Sequence, residues 1–221
     1  FRIAGNRFTA DTVPYTKTGS QIDVSGQNIA FTLQAGTRRI IGLDHADFAF
    51  VLSPDGVAGA VRNGAVQGPD FGGNISLSGT VSVLLNTTTT ARTLTVGGQP
   101  VSVAAAAAGG SYLQVVVASP VLTVYGNTLT AVQFVLERDE FGVRVSGANL
   151  NVELRAGTRR IVGLENASFA FHFDQNGLVG AVRNGNLLGP DFGSDIALGG
   201  TVSLSLNTTS QALTLEVGGQ T

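Results

Sequence analysis

Ile75, Leu77, Gly79, Val81, Val83 and Leu85 recur at every second position, with Ser76, Ser78, Thr80 and Ser82 between them. A period of two sets the first group on one face of a strand and the second on the other. At about 3.3 Å per residue this strand spans roughly 35 Å, long for a globular sheet. Ile196, Leu198, Gly200, Val202, Leu204 and Leu206 repeat the pattern. Shorter alternations predict further strands at Phe48-Phe50-Leu52, Phe169-Phe171-Phe173, Leu94-Val96 and Leu215-Val217. The phase flips between Val145 and Leu150, at Ser146-Gly147-Ala148-Asn149, and again at Ser25-Gly26-Gln27-Asn28. A flip with Gly at the joint predicts a β-bulge or tight bend. Pro54-Asp55-Gly56 and Gln175-Asn176-Gly177 predict hairpin turns. Asn63-Gly64 and Asn184-Gly185 read as a second pair of turns, and Asn86-Thr87-Thr88 with Asn207-Thr208-Thr209 as a third. No long segment has apolar spacing of 3.6, and Ala104–Ala108 before Gly109-Gly110 reads as a loop or one helical turn.

The strands come in two sets. Ala35-Gly36-Thr37-Arg38-Arg39-Ile40 returns 121 residues later as Ala156-Gly157-Thr158-Arg159-Arg160-Ile161, and Gly68-Pro69-Asp70-Phe71-Gly72 returns as Gly189-Pro190-Asp191-Phe192-Gly193. From 35–100 to 156–221, roughly 41 of 66 positions match without a gap. The expected organisation is a β repeat unit at 1–100, a connector at 101–121 with an Ala/Gly loop and a bridging strand, and a second unit at 122–221. The expected fold is all-β, two tandem homologous antiparallel units, each a sandwich-like pair of layers. A wide β-solenoid or continuous stacked β structure is the alternative. Thr221 aligns with Pro100 in mid-repeat, which suggests a piece of a longer polypeptide.

Composition narrows the function classes. Charged residues are 13% of the chain, against roughly 25% in ordinary domains. With a net charge of −2 there is no electrostatic case for nucleic acid as a partner, and the short apolar runs give none for membrane insertion by a helix. The absence of Cys removes disulfides and thiolate chemistry.

Candidate chemistry is sparse. Asp70 and Asp191, each in a Gly/Pro loop, are candidate calcium ligands through oxygen, although such an Asp also commonly bonds its own turn. No other cofactor is expected. Arg38, Arg39, Arg159 and Arg160 are the repeated basic pairs, suited to acidic glycans or a partner carboxylate, or to guarding a strand edge. Asp44 and Glu165 are their nearby acids. Arg62-Asn63 and Arg183-Asn184 read as sitting at a hairpin end. Asn86 and Asn207, with Asn74 and Asn166, open N-glycosylation patterns that also read as plain Asn-Thr or Asn-x-Ser turns. His45 and His172 do not align between copies, and no Gly-x-Ser-x-Gly elbow or phosphate-binding Gly-rich motif occurs. No enzymatic activity is therefore expected.

The runs Leu204-Ser205-Leu206-Asn207-Thr208-Thr209 and Val217-Gly218-Gly219-Gln220, set among turn-punctuated alternating strands, resemble tandem β-repeat modules of very large bacterial surface proteins, adhesin-like or fibre-forming. The resemblance implies an extracellular or cell-surface location and a structural role in a fibre, sheath or adhesin stalk. It implies copies of the chain itself, or neighbouring repeats, as partners, joined through sheet edges and low-charge faces. A glycan- or protein-binding module, assisted by calcium, is the alternative, with surface glycans as partner.

Overall fold

A computed structural model describes residues 2–3, 6–35, 38–69, 74–191 and 196–219. These residues are all-β, and no helix occurs among them. The first copy contains β1 (Arg2–Ile3), β2 (Asn6–Thr9), β3 (Tyr15–Thr18), β4 (Gln21–Ala35), β5 (Arg38–Ser53), β6 (Gly56–Gln67), β7 (Ile75–Asn86), β8 (Arg92–Val96) and β9 (Gln99–Val103). Next come β10 (Tyr112–Val124), β11 (Asn127–Thr130), β12 (Gln133–Asp139), β13 (Gly142–Ala156), β14 (Arg159–Asp174), β15 (Gly177–Leu188) and β16 (Gly199–Asn207).

Fourteen of these strands form one antiparallel sheet, while β8 and β9 form a separate hairpin. The sheet runs β1-β2-β4-β5-β6-β7-β10-β11-β13-β14-β15-β16, with β3 beside β4 and β12 between β10 and β13. This differs from two separate sandwich-like units. β10 bonds to β7 from Tyr112↔Asn86 to Val124↔Ile75, and its other edge bonds to β12 and β11. The physical reason is the β-prone run at 112–117, continued past a bulge at Ser119-Pro120 to Val124, whose two edges offer backbone groups to neighbours on either side.

Two devices shape the sheet. The first is a row of left-handed residues crossing it: Asn28 in β4, His45 in β5, Asn63 in β6, Ser119 in β10, then Asn149, Asn166 and Asn184 in β13 to β15. Each sits where strand registers shift or where two bulged strands run side by side. The extra residue keeps the apolar positions on one face across the phase flip: Leu43, Ala46, Phe48 and Phe50 all belong to one cluster with Ile29. The flips at Asn28 and Asn149 are thus bulges. Asn63-Gly64 and Asn184-Gly185 are corrected from hairpin turns to mid-strand bulges of β6 and β15, so Arg62 and Arg183 do not lie at a hairpin end. Both conformations need φ > 0, so an Asn-Gly pair suits either.

The second device is a ring laid over a glycine. Phe48 lies opposite Gly26, Phe50 opposite Gly59, Phe169 opposite Gly147 and Phe171 opposite Gly180. A Cβ at Gly59 would come within 1.9 Å of the Phe50 ring, and one at Gly180 within 2.0 Å of Phe171. The glycines therefore make room for side chains on this face. Phe48–Phe50 and Phe169–Phe171 ring centroids lie 5.7 and 5.8 Å apart, within the range of favourable aromatic pairs.

On the opposite face Ala49 and Ala60 are small, which lets the β8–β9 hairpin settle close to the sheet. Leu94, Val96 and Val103 of the hairpin are buried there with both alanines, and Val51, Leu84, Val101 and Tyr112 pack around them. In the second copy Val217 is buried against Ala170 and Ala181, with Leu215 beside it.

Two-residue turns at Pro54-Asp55 and Gln175-Asn176 close the β5–β6 and β14–β15 hairpins, as their sequences predict. The Asn-Thr-Thr runs form a third, closely bonded turn. The Asn86 Oδ1 accepts from the Thr88 N–H and hydroxyl, both at 2.8 Å, and Thr87 Oγ1 accepts from the Val57 N–H at 2.9 Å. Asn207, Thr209, Thr208 and Leu178 repeat these bonds.

Candidate functional site

A groove of about 520 Å³ lies on one face of the second copy, between residues 213–216 and the strands β12, β13 and β14. Register builds its floor. Glu137 of β12 stands opposite Arg144 of β13, and Arg144 stands opposite His172 of β14. Direct opposition across adjacent strands brings side chains of one face within reach of each other. Arg144 donates a hydrogen bond to Asp139 and lies 3.7 Å from Glu137. His172 is buried, with Nε2 3.8 Å from an Asp174 carboxylate oxygen. Glu216 and Phe141 complete the lining.

Two groups are shifted, Asp174 in the groove and Tyr112 beside Glu137. Asp174 is held below the ordinary carboxyl value by hydrogen bonds from the Asn176 side chain and backbone, with smaller help from Gly177 N–H and His172. Burial raises the Tyr112 phenol, and the charge and hydrogen bond of Glu137 push the same way.

The same groove exists in the first copy. Pro14, Thr16, Asp23, Val51, Arg92 and Thr95 line a cleft of about 370 Å³. They stand 121 positions before Val135, Glu137, Arg144, His172, Leu213 and Glu216. The shape therefore belongs to the repeat, while the chemistry belongs to each copy: Thr16-Asp23-Val51 in one, Glu137-Arg144-His172 in the other. A constellation that performed one reaction in both copies would need the same groups at the same places. In the groove of the second copy Arg144 presents a forked donor, and Glu137 and Glu216 present acceptors.

The residues singled out from sequence lie elsewhere. Arg39 Nε donates to the Gly68 carbonyl at 3.0 Å, and Arg160 Nε to the Gly189 carbonyl at 3.1 Å. This repeated clip fastens the Gly-Pro loop after β6 and β15 to the start of the neighbouring strand. Arg160 also lies 3.9 Å from Glu153, so its acid partner is Glu153 and not Glu165. Arg38 and Arg159 are exposed. Asp191 is exposed, and its N–H donates to the Arg160 carbonyl. Asp70 lies outside the described residues. Among the described residues, no group of three or more His, Asp or Glu is placed to hold a metal ion. Asn86 is fully buried, and its amide donates to the Thr90 and Ala104 carbonyls at 2.9 and 2.8 Å. A glycan has no access to that nitrogen in the folded chain. Asn207 is exposed and donates to the Gln211 carbonyl at 2.8 Å.

Sequence reasoning did not assemble Glu137, Arg144 and His172, because cross-strand register is a tertiary property. The available signal is that His172 stands between the alternating Phe residues of its strand where the first copy carries Val51. No family model, curated protein or solved structure matches the chain.

Proposed function

We propose that the chain is a non-enzymatic structural repeat of an extracellular fibre, sheath or adhesin stalk, built from two tandem β units that associate through sheet edges and low-charge faces. One observation carries this reading: a single sheet continues from the first copy into the second through β10, which bonds to β7 on one side and to β12 and β11 on the other. A repeat joined this way extends a sheet instead of adding a separate bead. Low charge supports close packing of such faces, because little has to be desolvated. Electron microscopy of the native material is expected to show a regular rod or fibre, and isolated globular particles would overturn the reading.

The groove favours a second reading, an extracellular glycan- or protein-binding module. The observation behind it is the Glu137-Arg144-His172 row beneath Glu216. A glycan array probed with and without calcium tests it. Binding that disappears in an Arg144→Ala, His172→Ala double variant supports it, and the absence of binding in every condition removes it.

A further inference from the structure

We propose that the outer edge of β16, the Asn207 amide and the groove beside Ala181 and Leu206 form an acceptor for a connector of the sequence type of residues 101–124, belonging to another copy of the repeat. The proposal rests on the structural-repeat reading and specifies its joint.

The first copy displays the joint already made. β7 and β16 are counterparts, 121 positions apart. The outer edge of β7 is bonded along its length to β10. The Asn86 amide uses one hydrogen on the Thr90 carbonyl and the other on the Ala104 carbonyl, at the start of the connector. The Ala106 N–H donates to the Thr88 carbonyl. Val103, just before that loop, is 1% exposed against the sheet.

Among the described residues the second copy presents the same edge and the same Asn side chain. Among the described residues no strand pairs with the outer edge of β16. Asn207 donates to Gln211, the counterpart of Thr90. The groove beside β15 and β16, about 450 Å³, is lined by Val179, Ala181, Leu206, Leu213, Leu215 and Val217 among others. Leu204 is 58% exposed and Leu206 42%, whereas their counterparts Val83 and Leu85 are half-buried.

The edge chemistry fits that occupant. Exposed edge strands usually carry a charge or a proline that blocks further pairing. Gly199–Asn207 carries neither, and Tyr112–Val124 has no charge to repel it. The opposite end of the sheet supplies the other half of the joint. Arg2↔Arg7 and Ile3↔Asn6 pair in the register of Thr123↔Thr128 and Val124↔Asn127, so β1 stands where the last residues of β10 stand. A connector strand that lies along β16 of one copy and β3 of the next, with β1 of the next in place of its last residues, has the neighbours that β10 has within the chain. Such head-to-tail contact is heterologous, and where its rotation closes no ring it generates an open array.

The test appends residues 101–124 after Thr221, in phase with the repeat, and follows hydrogen exchange in fragments covering Gly199–Asn207. Exchange there is expected to slow on the order of 100-fold. The same extension carrying Val115→Pro and Val117→Pro within the appended segment is expected to give no slowing, since proline removes ladder donors. Unchanged exchange in the first protein, or equal slowing in both, overturns the proposal. So does concentration-dependent protection of β16 in the unextended chain, which would mean that two β16 edges pair with each other. Electron microscopy of the extended protein separates this result from the fibre reading. Protected β16 in globular particles keeps the acceptor and removes the fibre; filaments with unprotected β16 do the reverse.

Discussion

Asn86 and Asn207 hold the same place in the two copies, yet their surroundings give them unequal weight. Asn86 is buried with both amide hydrogens and its carbonyl engaged, so Asn86→Ala leaves the Thr90 and Ala104 carbonyls without that donor. The expected cost is about 2–4 kcal/mol. Asn207→Ala removes solvent-exposed bonds and is expected to cost less than about 1 kcal/mol. Urea denaturation of both variants checks the contrast, and equal costs would contradict it. Asp174 sets a pH dependence. Its folded carboxyl titrates below the ordinary value of 3.8, so its stabilising contribution is present above that pH and is lost as pH falls through the folded value. The difference in urea midpoint between the protein and Asp174→Ala is therefore expected to be constant at neutral pH and to shrink below pH 3.8. A difference that grows on acidification would reverse the assigned sign.

The long strands depend on their bulges. Asn63 holds φ at 59°, in the middle of β6. Asn63→Val places a β-branched residue in that conformation and is expected to destabilise by about 1–3 kcal/mol, while Asn63→Gly is expected to be nearly neutral. Thermal melts of the two variants decide it. At this scale alternation was legible: Phe48-Phe50 and Phe169-Phe171 reported their strands, and Pro54-Asp55-Gly56 reported its turn. Asn63-Gly64 was not, because the dipeptide specifies a left-handed backbone without saying whether the chain then reverses or continues. The groove was less legible still. Glu137, Arg144 and His172 come from three separate strands, and only pairing register brings them into one row.

The whole molecule is tied together at β10. Because one strand bonds to both copies, the intact chain is expected to unfold in one cooperative transition. Val115 lies opposite Val83 of one copy and Leu136 of the other. Val115→Pro removes a ladder donor and crowds the neighbouring strand. Calorimetry of that variant is expected to resolve two transitions, with a van't Hoff enthalpy well below the calorimetric one. A single transition with matching enthalpies would mean that the copies are coupled by something other than this strand. The period of 121 residues made the two copies legible, but alternation alone does not say which strand lies beside which. The sharing of β10 therefore had to come from the structure.

The row of left-handed residues from Asn28 to Asn184 also acts as a key. A strand that slid by one or two residues against its neighbour would carry its kink out of line with the others. Its apolar side chains beyond the kink would then turn to the wrong face. Misalignment is thus penalised along every strand of the row, so an added strand such as β10, with Ser119 in place, has one setting that fits. Such a seam is keyed by its backbone: a chemically bland, nearly uncharged edge still has its register set by where the chain kinks.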